Sequence, residues 1–128
     1  MSYQMSDYLE NKLLNVIFKK DTWTAIDVYA ALFTADPTDA GTGPEVVAAS
    51  YARQKITSGT PVSGMINNSA DILFPVTGES WGTITHVALF DAASSGNMLF
   101  YGTLAVPKAI TMSDQFKIPQ NYLQVTLD

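Results

Sequence analysis

Hydrophobic and polar positions change rhythm along this chain. Between Ser6 and Lys20, Leu9, Leu13, Val16 and Ile17 recur at i, i+4, i+7 and i+8, which is one face of a helix. Asp7 and Glu10 stand in capping-box spacing at its start, and Lys19–Lys20 complement the macrodipole at its end. The pattern predicts an amphipathic helix over residues 6–20. Its stripe either covers one face of the domain or docks on a neighbouring subunit. After residues 21–24 the period shortens to two. Val28–Phe33 (VYAALF) is apolar on both sides, as suits a strand in a sheet covered on both faces.

The strongest strand signal lies in Trp81–Leu104 (WGTITHVALFDAASSGNMLFYGTL). Thr83–Phe90 and Met98–Leu104 are rich in β-branched and aromatic residues, and the small polar connector Asp91–Asn97 closes on Gly96–Asn97. This predicts a hairpin. Further strands are expected at Arg53–Thr57, Ala70–Val76 (with Pro75 marking an edge or exit), Lys108–Met112, Gln115–Ile118 and Tyr122–Leu127. Thr34–Pro44 and Ser58–Asn68, both rich in glycine and proline, are expected loops. Eight short strands without helical crossovers predict a mainly β fold. The expected architecture is an antiparallel β-sandwich, jelly-roll-like, with one N-terminal α-helix, forming a single domain over residues 1–128.

Composition narrows the function classes. At 128 residues the chain is long enough for one well-buried core. It has no cysteine, which removes disulfides, thiolate nucleophiles and zinc–thiolate sites. Seven basic against twelve acidic residues give a net charge of −5. Nucleic-acid binding needs a positive stripe to release counterions, and none is present. The same balance disfavours an anionic membrane surface. No apolar run approaches the ~20 residues of a membrane span, and no signal peptide is evident. Charged residues make up only 15% of the chain against 47% hydrophobic, the profile of a subunit partly covered by neighbours.

The candidate chemistry is sparse. His86, the single histidine, sits mid-strand in ITHVALF, and strict alternation places it on one face with Ile84, Ala88 and Phe90. Without a second histidine or a recognisable triad, it reads as a hydrogen-bonded structural residue. Asp36, Asp39 and Glu45 share a turn-rich region, yet their spacing is not that of a calcium loop. No catalytic, cofactor-binding or metal-ligating residues are assigned, and no cofactor is implied. Trp23 and Trp81 would serve a carbohydrate site only if exposed. Arg53 is the lone arginine, and residues 21–52 hold five acids and no base. It is either an ordinary surface residue of its strand or, since its fork suits a bidentate carboxylate, an ion pair that pins the Thr34–Pro44 loop or joins two protomers. Candidate assembly residues are therefore Leu9, Leu13, Val16, Ile17 and Arg53.

Several segments, in this order, resemble a family of small structural proteins of tailed bacteriophages, described as minor tail or tail-fibre-like proteins. They are the helix YLENKLLNVIF, the strand ending LFTADPT, the acidic-to-arginine segment GPEVVAASYARQ, the strand SADILFPV, the WGTITHVALF…LFYGTL hairpin and Phe116–Leu127. Ala48–Ala49–Ser50 stand where the family pattern often has glycines, and the resemblance makes Met1–Gln4 a short extension. It implies no catalytic residues. It implies a non-enzymatic virion subunit, assembled in the host cytoplasm by contacts with tail or major capsid proteins. A homo-oligomer, with a trimer the favoured size, is expected. The alternatives are a capsid decoration protein and a receptor- or carbohydrate-binding module at the tail tip. A hydrolase is the remote third class.

Overall fold

The expected hairpin is the frame of the molecule. The computed structural model describes residues 3–127. Its elements are β1 (Tyr3–Met5), α1 (Asp7–Ile17), β2 (Tyr29–Phe33), β3 (Gln54–Lys55), β4 (Met65–Asn67), β5 (Ile72–Leu73), β6 (Gly82–Phe90), β7 (Met98–Ile110), β8 (Lys117–Ile118) and β9 (Gln124–Thr126). β6 and β7 pair from Phe90↔Met98 back to Gly82↔Ile110. Their connector is closed by Asp91, whose carboxylate accepts the Asn97 backbone N–H at 2.7 Å and its side-chain amide at 3.0 Å. Gly96 is required there. Its φ is +73°, and a Cβ on it would lie 2.5 Å from Asp91 Oδ1.

Around this hairpin runs a five-stranded antiparallel sheet in the order β1-β7-β6-β2-β3. Two short antiparallel ribbons, β4-β9 and β5-β8, supply the second layer. The protein is thus mainly β and antiparallel with one N-terminal helix, and its second layer is two ribbons rather than one continuous sheet. Ala30, Leu32, Val87 and Leu89 point from the large sheet into a core completed by Phe74, Phe116, Ile118 and Val125 from the ribbon side. Ala31, Phe33, Ala88 and Phe90 point the other way, into a smaller cluster with Met98 and Tyr101. β2 is therefore covered on both faces, as its doubly apolar sequence predicts. Asn68, wholly buried, ties the ribbons together. Its amide donates to the Ala70 and Pro119 carbonyls and its Oδ1 accepts the Leu123 N–H.

Three expectations need correction. First, the helix is shorter than residues 6–20 and is capped by Ser6, not Asp7. Ser6 has extended backbone angles, and its hydroxyl accepts the Leu9 N–H at 3.2 Å and donates to the Met98 carbonyl. Asp7 and Glu10 instead lie within the first turn, where they complement the dipole. At the other end Lys19 takes φ +63°, and Lys19 and Lys20 donate to the Val16 and Asn15 carbonyls. That is a Schellman closure, so both lysines fall beyond the last turn.

Second, the loop expected at Ser58–Asn68 contributes β4, and a short strand that the sequence did not predict, β1, pairs with β7. Third, Lys108–Met112 is not a separate strand: β7 runs on through Ile110. The reason is a bulge. β6 pairs Ile84 with Lys108 but His86 with Thr103, so Leu104–Pro107 bow out of the ladder. Among the described residues β1 pairs with β7 at Phe100–Gly102, and Val106 on the bow is strongly exposed.

Candidate functional site

The bulge also decides which neighbours share a face with His86. Thr85 has no β7 partner, and the residues on either side of it, Ile84 and His86, face opposite ways. Ile84 consequently joins the main core, whereas Ala88 and Phe90 occupy the opposite face, so the expected grouping of Ile84 with those two fails. The half-buried imidazole is held by hydroxyls: Nδ1 lies 2.8 Å from Thr85 Oγ1 and Nε2 lies 3.2 Å from Thr103 Oγ1. That is the hydrogen-bonded structural histidine expected from its neighbours.

The acids are also committed to local structure. Asp36 Oδ1 accepts the Thr38 N–H at 2.8 Å in an Asx turn, and Asp39 accepts the Tyr101 hydroxyl. Glu45 is held by Tyr51 and Arg53. Among the described residues no group of three or more His, Cys, Asp or Glu side chains is placed to hold a metal ion.

Arg53 is the most connected polar side chain among the described residues. Nε and Nη2 donate to the two Glu45 oxygens at 2.9 and 2.8 Å, a bidentate pair. Nη1 donates to the Ala92 and Ser95 carbonyls at 3.0 and 2.7 Å, and the guanidinium lies 3.8 Å from the Phe90 ring centroid. Glu45 also accepts the Tyr51 hydroxyl at 2.6 Å, and that hydroxyl accepts the Leu32 N–H. One arginine thus ties the segment after the Thr34–Pro44 loop to the tip of the β6–β7 hairpin, inside its own chain.

Burial and the carboxylate partner raise the Tyr51 pKa, and burial alone raises that of Tyr3. The Asp39 hydrogen bond pushes Tyr101 up to about 12. A phenol whose folded pKa is raised adds stability that is complete below its unfolded value, near 10, and is lost as pH climbs toward the folded value. Stability is therefore expected to fall steeply above pH 10. Absorbance titration at 295 nm should show Tyr3, Tyr51 and Tyr101 ionising late, with the delay vanishing in strong denaturant.

The helix stripe divides. Leu9 is buried against the sheet, Leu13 and Val16 are half-buried, and Ile17 is exposed. Trp81 is buried, its indole N–H donating to Ser50 Oγ at 3.0 Å and its ring meeting Tyr51 edge-on at 5.3 Å. Trp23 is exposed, but Lys12 Nζ sits over its ring at 5.8 Å. An open groove of about 460 Å³ separates the β4–β9 ribbon from the sheet. Leu89, Phe100, Leu123 and Val125 floor it, and Ile26 and Leu127 stand at its rim. Sequence reasoning did not find this groove, because it arises from the ribbons' incomplete cover of the sheet. Such a surface can bury apolar groups; it sets no acid against a base.

What the fold and these surfaces define is a mainly β module with apolar surface left open for packing. A family model described as podophage GP4 fiber I protein gp80 matches residues 4–126. The chain belongs to that family of phage fibre proteins, as the resemblance in its sequence implies. A comparison with curated proteins found no match. No helix among the described residues is long and apolar enough to cross a membrane.

Proposed function

We propose that this chain is a non-enzymatic, tail-fibre-like subunit of a tailed-phage virion, assembled in the host cytoplasm and held in place by contacts with other virion proteins. The observation that carries the reading is the fibre-family match across residues 4–126. It is supported by polar chemistry turned inward: the only arginine serves its own chain, and the only histidine is bonded to threonine hydroxyls. It is also supported by apolar area left outside, at Ile17 and Phe18 on the helix and at Val106 on the β7 bow.

Leu9 and Arg53 are occupied within the chain, so among the five candidate assembly residues the contact falls on Ile17, flanked by half-buried Leu13 and Val16. The reading includes a homo-oligomer, for which the resemblance suggests three copies. Immunogold labelling of intact particles tests the reading. Gold on the tail or its tip is the expected result; gold distributed over the head would replace this reading with a capsid-decoration role.

A further inference from the structure

Helix α1 carries a second stripe, and nothing among the described residues covers it. Leu14, Ile17 and Phe18, three and four positions apart, are 54%, 67% and 68% exposed. Toward the helix start the stripe continues as exposed Asp7 and Glu10; just past its end come exposed Lys19 and Lys20. The spacing 7, 10, 14, 17 alternates threes and fours, the rhythm with which one helix lies along another. Among the described residues the ion pairs engage Lys12, Arg53, Lys55 and Lys117, and none involves Asp7, Glu10, Lys19 or Lys20. Read along its axis, the stripe is acidic, then apolar, then basic.

We propose that this stripe is a homotypic contact in which α1 packs antiparallel on α1 of a second copy, about a two-fold axis at Leu14. Antiparallel packing sets the Asp7–Glu10 end of each helix against the Lys19–Lys20 end of the other. It gathers Leu14, Ile17 and Phe18 between them and opposes the two macrodipoles. A parallel pair, or a three-fold bundle of parallel helices, stacks acid on acid and lysine on lysine. A partner surface of one sign would suit one end and repel the other. The order of charges therefore selects a second copy in the antiparallel sense, an isologous contact of the commonest kind.

At 11 residues the helix is about 16 Å long, which buries less than the ~800 Å² per partner of a standard interface. Association through it is therefore concentration-dependent. It yields even-numbered species, whether a dimer or two trimers joined. The contact stands independently of the tail-fibre reading, because its test uses the purified chain and not the particle.

The chain has no cysteine, so single cysteines report contacts cleanly. Under mild oxidation Leu14→Cys is expected to give a disulfide-linked dimer. Val47→Cys, at a position 97% exposed and outside the stripe, should stay monomeric at the same concentration. Glu10→Cys mixed with Phe18→Cys should cross-link one to the other, while Glu10→Cys alone should not. In sedimentation equilibrium K19E/K20E is expected to weaken self-association at least tenfold with an unchanged thermal melt, and adding the D7K/E10K chain should restore a mixed dimer. Failure of Leu14→Cys to cross-link above the Val47→Cys level overturns the proposal. So does efficient self-linking of Glu10→Cys, which would mean parallel helices, or a K19E/K20E chain that associates like the unaltered one.

Discussion

Replacing Phe74 by alanine is expected to lower the unfolding free energy by about 3–5 kcal/mol, the range for emptying a fully buried aromatic site. Phe74 has no exposed surface and lies in the layer between the large sheet and the ribbons. Its ring stacks on Tyr51 at 6.2 Å and meets Phe116 nearly edge-on at 5.8 Å, so its loss unseats both neighbours. The surroundings cannot collapse cheaply, because the backbone on either side is pinned: Phe74 and Thr77 donate to the Phe116 and Asp114 carbonyls. Urea denaturation followed by tryptophan fluorescence should show the shift, since Trp81 packs in the same cluster. A loss below about 1 kcal/mol would mean that the two layers are not held together at this point.

The second large effect belongs to Arg53. Its side chain is 8% exposed and that of Glu45 23%, so removing the guanidinium leaves a mostly buried carboxylate beside Tyr51 with no cation. Arg53→Ala should cost about 3 kcal/mol, the lower end for breaking a buried pair. Arg53→Lys should recover only part, because an ammonium cannot satisfy both Glu45 oxygens and the Ala92 and Ser95 carbonyls at once. Combining Arg53→Ala with Glu45→Gln should cost less than the sum of the two single losses. Amide exchange at residues 92–96 should quicken in Arg53→Ala, since two of the carbonyls that hold this tip lose their donor. Unchanged exchange there would remove the hairpin tip from the arginine's role.

How much of this could be read from the residues alone depends on element length. β2, β6 and the first half of β7 were legible because alternation and β-branching run long enough to set a period. β1 and β4, three residues each, were not, since so short a segment has no period; their pairing is decided by β7 and β9. The helix was legible in its stripe but not in its ends, where a serine hydroxyl and a left-handed lysine decide the limits. The face of His86 was legible, with Ala88 and Phe90, but that of Ile84 was not, because the unpaired Thr85 breaks an alternation that looks unbroken in sequence. At the arginine, the fork and the surplus of acids pointed to a carboxylate partner. Nothing in the order of residues singled out Glu45 from the other four acids, because a long, turn-rich loop separates it from β2.

Proteins packed at high local density face a hazard from any bare strand, whose unspent amides and carbonyls invite copies to zip together without limit. Beyond Gly102, among the described residues, the β7 edge is such a margin, and there it bends away: four residues leave the ladder, one of them Pro107, which lacks a donor, and Lys108 follows. The irregularity that turns Ile84 against the alternation of its strand thus also denies neighbouring molecules a template for fibrillar growth.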